Sequence, residues 1–255
     1  MSTYLTYQDA VSILRNMQIF ESDLNRFYQD RGYDLRANTG RRNILVSTSQ
    51  EVETARVLST KFDNVIADGA PGKPDIFIGS LQRELECKLT SGSFSNNYVS
   101  FSFSTDWGTI CQKGTLDYVY ILTDKDFQNF AFLFFEGLTS DDFFPPASGS
   151  RGKSRMNKEK GMKKCVPLYG GFYNKNNQII EKLQNSLKLE NQKYNDRIAE
   201  LGKRPQNTLI QRRNVQNLVQ NSRLRFEKKK AKIKEKIEFW KKTSDRFTFI
   251  LDSIS

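Results

Sequence analysis

KPDIFIGSLQRELECKLT, residues 73–90, contains two short runs of β-forming character around a turn. Pro74–Ile78 is the first run, Arg83–Leu89 the second, and Gly79-Ser80 supplies the turn chemistry between them. A two-residue loop at Ser80-Leu81 sets Gly79 opposite Gln82, and counting outward brings Asp75 opposite Glu86. Directly opposed residues of an antiparallel pair share a face, with Cβ atoms roughly 5 Å apart. Strands have period two, so Lys88 joins Glu86 on that face. Two carboxylates and one ammonium therefore converge. Hard oxygen ligands of this kind suit Mg²⁺, which keeps several waters and binds phosphate oxygens. A neighbouring lysine can orient water and offset charge developing on phosphorus. An ordinary amphipathic strand shows the same alternation of Glu84, Glu86 and Lys88 with Leu85, Cys87 and Leu89, so the flanking elements must carry weight.

Thr48 to Asp63 is the next informative stretch. Thr48 or Ser49 can cap a helix starting near Gln50. At helical spacing Val52, Ala55, Leu58 and Phe62 form an apolar stripe. Glu51 falls near the centre of that stripe and Glu53 points away from it. A carboxylate on a buried helix face is costly unless it is paired or metal-bound.

Pro74-Asp75, a turn, then Glu86-Cys87-Lys88 resembles the signature of the PD-(D/E)xK nuclease superfamily, and the chain looks most like a type II restriction endonuclease. The resemblance spans about Ser49 to Gly137. It implies an α/β fold, a restriction-endonuclease-like mixed sheet flanked by helices. It implies Asp75 and Glu86 as Mg²⁺ ligands, with the main-chain carbonyl of Cys87 a further ligand. Lys88 would orient or activate water, and Glu51 would complete the acidic cluster, with Glu53 in reserve. The catalytic set is then Asp75, Glu86, Lys88 and Glu51. The implied reaction is in-line hydrolysis of double-stranded DNA to 5′-phosphate and 3′-hydroxyl ends, by an enzyme that is usually a homodimer. A structure-specific repair nuclease, or a non-catalytic nucleic-acid-binding protein with a helical arm, are the alternatives.

Composition narrows the chemistry further. The 255 residues include no histidine, which removes Ser-His-Asp, Cys-His and His-metal systems. Cys87, Cys111 and Cys165 are far apart and unpaired in number, as expected of a reduced, cytoplasmic protein. No run of about 18 apolar residues predicts a membrane span, and no signal-peptide pattern opens the chain. Gly72-Lys73 precedes proline rather than Ser or Thr, so no nucleotide-binding loop, and no nucleotide cofactor, is expected. Charge is divided: residues 1–140 carry 13 Lys/Arg and 17 Asp/Glu, whereas residues 141–255 carry 27 and 12. A carboxylate-bearing front half joined to a basic back half suits a metal-dependent enzyme acting on a polyanion.

The remaining segments read as follows. Tyr7–Met17 and Phe20–Arg31 are two amphipathic helices, with Arg41-Arg42 in a link leading to Asn43-Ile44-Leu45-Val46. Asn64–Asp68 is a first core strand. Thr90–Asn97 is a polar turn. Asp106–Lys113 is a short helix, and Leu116–Leu122 and Asn129–Glu136 are strands. Arg151–Lys164 is too polar for a core and suits a mobile basic arm. Its Arg151, Lys153, Arg155, Lys158, Lys160, Lys163 and Lys164 are the expected DNA contacts, with Lys73 beside the site. Asn177–Ser244 predicts two long helices broken at Gly202–Pro205, a hairpin or coiled-coil arm, and Phe247–Leu251 a strand returning to the core. The expected domains are a nuclease domain over 1–172, with its core at about 49–137 and the basic loop at 145–170, and a helical arm over 173–255.

Overall fold

The computed structural model describes residues 3–70, 73–95, 98–148, 152–242 and 247–254, excluding the side chains of 93–95, 98–100, 175 and 242. In chain order the helices and strands are α1 (Tyr7–Gln29), α2 (Thr39–Ser59), β1 (Val65–Ile66), β2 (Ile76–Ile78), β3 (Arg83–Ser91), β4 (Ser93–Ser95), β5 (Tyr98–Ser100), β6 (Ser104–Asp106), α3 (Trp107–Lys113), β7 (Leu116–Thr123), β8 (Asn129–Leu138), β9 (Lys153–Arg155), α4 (Lys158–Gly161), β10 (Cys165–Tyr169), β11 (Gly171–Asn174), α5 (Lys175–Gly202), α6 (Leu209–Lys242), β12 (Phe247–Ile250) and β13 (Asp252–Ser253). The chain forms two compact units, one of residues 1–173 with 248–255, the other of 174–247.

The first unit is built on a seven-stranded mixed sheet ordered β1-β2-β3-β7-β8-β10, with β13 also pairing β8. Only β3 and β7 run parallel; the other pairs are antiparallel. A parallel pair needs covering on both faces. Every residue of β7 is accordingly buried. One face carries Val119, Ile121, Phe130, Phe132 and Phe134 against Ile13, Leu14 and Met17 of α1 and Val46 and Leu58 of α2. On the other face, Tyr120 and Phe135 meet Phe103 edge-on.

Register at β2–β3 is the expected one. Ile76 pairs Leu85, Phe77 pairs Glu84 and Ile78 pairs Arg83, which extends to Asp75 opposite Glu86. The turn is a 3₁₀ segment over Gly79–Leu81 that closes through Gln82 in the left-handed region. Gly79 is required by a close approach rather than by its dihedrals, because a Cβ there would meet the Asn64 Cβ at 2.7 Å.

Several expectations are corrected. Tyr7–Gln29 is one helix rather than two, started by a capping box between Thr6 and Asp9. The second helix starts at Thr39, capped by Asn38, not near Gln50. It therefore absorbs both the supposed link at Arg41-Arg42 and the run Asn43–Val46 that follows. Its buried face carries Arg42, Val46, Ser49, Gln50, Thr54, Val57 and Leu58, and Val52 is exposed. The Asn64–Asp68 strand shrinks to two residues on the sheet edge. Thr90–Asn97 is less a turn than the end of β3 followed by β4, which pairs β5; Asn96 and Asn97 lie outside the described residues.

The basic stretch is also more regular than a mobile arm. β9 pairs β6 in antiparallel register, Ser104 with Arg155 and Asp106 with Lys153. Main-chain bonds from Trp107 to Gly152 and from Met156 to Phe103 tie it down, and Ser154, Met156 and Met162 are buried. Charge density misled here because every second side chain of a strand faces inward.

The second unit is a helical pair. Tyr194 of α5 stacks on Phe226 of α6 at 4.5 Å, and Glu190 pairs Lys229, the crossed numbering of antiparallel helices. Among the described residues no helix is long and apolar enough to cross a membrane.

Candidate active site

Asp75, Glu86 and Lys88 lie together where β2 begins beside β3. Lys88 Nζ donates to Glu86 Oε2 at 2.7 Å and to Asp75 Oδ2 at 3.2 Å. Asp75 Oδ2 also accepts the Cys87 main-chain N–H at 2.7 Å. A carboxylate thus replaces a main-chain acceptor just before the first paired residue of β2, which anchors Asp75 at the site. The Cys87 side chain points the other way, into the core, where burial pushes its thiol up. Only its main chain faces Asp75.

The electrostatics follow from burial first and from neighbouring charges second. Burial raises the Glu86 carboxyl, with Lys88 opposing and Asp75 adding to the rise. Glu51, half-buried on α2, is raised by burial and then by Asp75 and Glu86, against Lys88. Glu51 thus lies within electrostatic reach of the other three. Burial would lower Lys88, but Glu86 and Asp75 outweigh it and hold the ammonium charged well above its ordinary range. Lys88 is therefore a fixed cation, suited to orienting water or offsetting charge rather than taking up a proton. Glu53 is placed elsewhere: it accepts from Asn16 of α1 and pairs with Arg56.

The donor set suits a hard cation. The groups are oxygen donors, and the Glu51 and Glu86 carboxyls, raised first by burial and then by neighbouring acids, sit where a divalent ion would offset negative charge. Among the described residues no group of three or more His, Cys, Asp or Glu side chains is disposed to hold a metal ion. Side-chain ligation would thus rest on Asp75 and Glu86, with waters and substrate oxygens completing the shell, as Mg²⁺ accepts.

Three neighbours escaped the sequence reading. Tyr118 is in register with Glu86 across the parallel pair, and Tyr120 with Lys88. Burial pushes the Tyr118 hydroxyl up to about 12, so it stays neutral, sharing a 2.7 Å hydrogen bond with Thr105. Two tyrosines at i and i+2 of a strand, alternating with Val119 and Ile121, were the available signal. Gln50, fully buried, donates to the Val119 carbonyl at 3.2 Å and fixes α2 beside the site.

The expected DNA contacts separate into two kinds. Lys153, Arg155, Lys160 and Lys163 are exposed. Lys158 is half-buried, donates to the Phe101 carbonyl at 2.8 Å, and is lowered by burial. Lys164 pairs with Asp142 at 2.7 Å. Lys73 is exposed and pairs with Asp68 at 2.9 Å. Arg151 lies outside the described residues. β9 is tied to the same sheet face as Glu86, through β6 and the Thr105–Tyr118 bond. No known protein family, curated protein or solved structure matches the chain.

Proposed function

We propose that the chain is a Mg²⁺-dependent, sequence-specific endonuclease of double-stranded DNA, a cytoplasmic enzyme of the type II restriction kind with a PD-(D/E)xK centre. The observation that carries this reading is the meeting of Asp75, Glu86 and Lys88 through direct bonds, with Glu51 alongside. Asp75 and Glu86 hold the ion, with the Cys87 main chain adjoining. Magnesium bound there supplies a polarised phosphodiester and an acidified water. Lys88 orients that water and offsets charge on the phosphoryl oxygens. Glu51 accepts protons more readily than an ordinary glutamate and can share the proton of the attacking water. The exposed Lys153, Arg155, Lys160 and Lys163 contact the duplex. A palindromic site would be met by a homodimer.

Cleavage of a long duplex DNA with Mg²⁺ tests this. Wild type should give discrete fragments, abolished by EDTA. Lys88→Ala should lower the rate by about 10² or more, as loss of a preorganised charge does. Cutting unchanged in Lys88→Ala would remove the proposed centre.

A further inference from the structure

The structural boundaries redistribute the charge. Residues 174–247 carry 20 Lys/Arg and 8 Asp/Glu, whereas the other unit is close to neutral, with 20 and 21. Within the helical pair the excess concentrates on α6, with 12 Lys/Arg against 3 Asp/Glu. Its apolar side is used up, since Val215, Phe226 and Ile237 are buried. On the outward side, Arg225, Lys228, Lys232 and Lys236 follow one another at spacings of three, four and four residues, all exposed. Residues so spaced are neighbours on one helix face.

None of these four is in an ion pair among the described residues. Nearby acids are engaged elsewhere: Glu190 with Lys229, Glu227 with Lys230, Glu238 with Lys241; Glu235 borders the stripe. Like charges at such spacing cost a few tenths of a kcal/mol per pair, roughly 0.2–0.5. A helix needing only solubility would mix signs along this face. At about 1.5 Å per residue the stripe is some 16 Å long, and it faces outward as an unbroken line of free cations.

We propose that this α6 stripe is a sequence-independent grip on the phosphate backbone of nucleic acid. The claim rests on the nucleic-acid part of the proposed function and not on its catalytic part. A bilayer fits less well. An interfacial helix needs an insertion face opposite its charges, and that side of α6 is already buried. The exposed Leu209, Ile210, Leu218, Leu224 and Phe239 do not recur at helical spacings of three and four, so they form no continuous insertion face to replace it.

The test is salt-dependent binding of the full chain to a non-specific duplex, by fluorescence anisotropy in EDTA. The variant carries Arg225→Gln, Lys228→Gln, Lys232→Gln and Lys236→Gln together. A control neutralises four lysines and arginines already in ion pairs, Lys193, Arg197, Lys230 and Lys241. Each phosphate contact contributes about 0.9 to the slope of log K against log salt. The stripe variant should lose about 3–4 from that slope and the control about 1 or less. Equal slopes in wild type and stripe variant overturn the proposal. So does a stripe variant that binds DNA normally but loses binding to phosphatidylserine-rich vesicles. Cleavage retained with an unchanged slope would discard the grip and leave the endonuclease reading standing; loss of cleavage in Lys88→Ala with the slope intact does not touch the grip.

Discussion

Arg42 is completely buried, and every oxygen that its guanidinium meets is uncharged. It donates to the Lys125 and Asp124 carbonyls, to Ser91 Oγ at 2.7 Å and to Asn43 Oδ1, and its Cζ lies 4.9 Å from the centre of the Phe127 ring. One side chain thus joins the start of α2 to the end of β3 and the loop after β7. Arg42→Ala should cost about 3 kcal/mol by urea denaturation, since charged hydrogen bonds are lost over a buried void. Arg42→Lys should recover little of it, because one ammonium cannot span the fork of acceptors. Two acids respond to pH with opposite sign. Burial would raise Asp9, but the bonds from Lys61 and Thr6 win and hold it below 3.8. Its contribution to stability is present above that value and is lost as pH falls through it and below. Glu51 is raised above 4.5, so its neutral form is the favoured one. The stability it allows is full below 4.5 and is lost as pH rises past it. In EDTA, Glu51→Gln should therefore raise Tm at pH 7, with the gain vanishing toward pH 4, whereas Asp9→Asn should lower Tm most at neutral pH. Thermal melts across this range check both, and a Glu51→Gln variant that melts lower at pH 7 would refute the raising of Glu51 by burial and neighbouring acids.

At the scale of elements, the β-hairpin was the legible part. A period of two and a short turn leave few registers, and the pairing of Ile76 with Leu85 is the one they dictate. The turn's spatial demand was invisible, since it depends on Asn64, far along the chain. Gly79→Ala should cost about 1–3 kcal/mol through overpacking. Asn64→Gly, which removes the opposing Cβ at a residue with φ of +57°, should return part of that loss in the double variant. The second helix was misplaced because its start depends on a single asparagine, Asn38, while the apolar run Ile44–Val46 imitates a strand. Ile44 and Leu45 are exposed and only Val46 joins the core, so the run carries no helical or strand period of its own. Lysines obscured the basic segment in a similar way. Lys158 and Lys164 are spent on internal acceptors, which composition cannot distinguish from cations facing solvent.

At the scale of the molecule, the two units differ in what holds them. The sheet unit buries β7 completely and most of β8. Among the described apolar side chains of the helical pair, only Leu201, Val215, Phe226 and Ile237 are buried. Native-state hydrogen exchange should therefore show α5 and α6 amides opening at lower free energy than those of β7 and β8. Uniform protection across both would contradict that division. The helical pair is also an interruption in the chain of the first unit, which departs at Tyr173 and resumes at Thr248. Both residues belong to strands, β11 and β12, that pair with each other. Departure and re-entry thus lie on neighbouring strands, about 5 Å apart. The helical pair is in this sense a cassette: exchanging its seventy-odd residues for a tight turn should leave the amide protection of β7 and β8 unchanged in native-state hydrogen exchange.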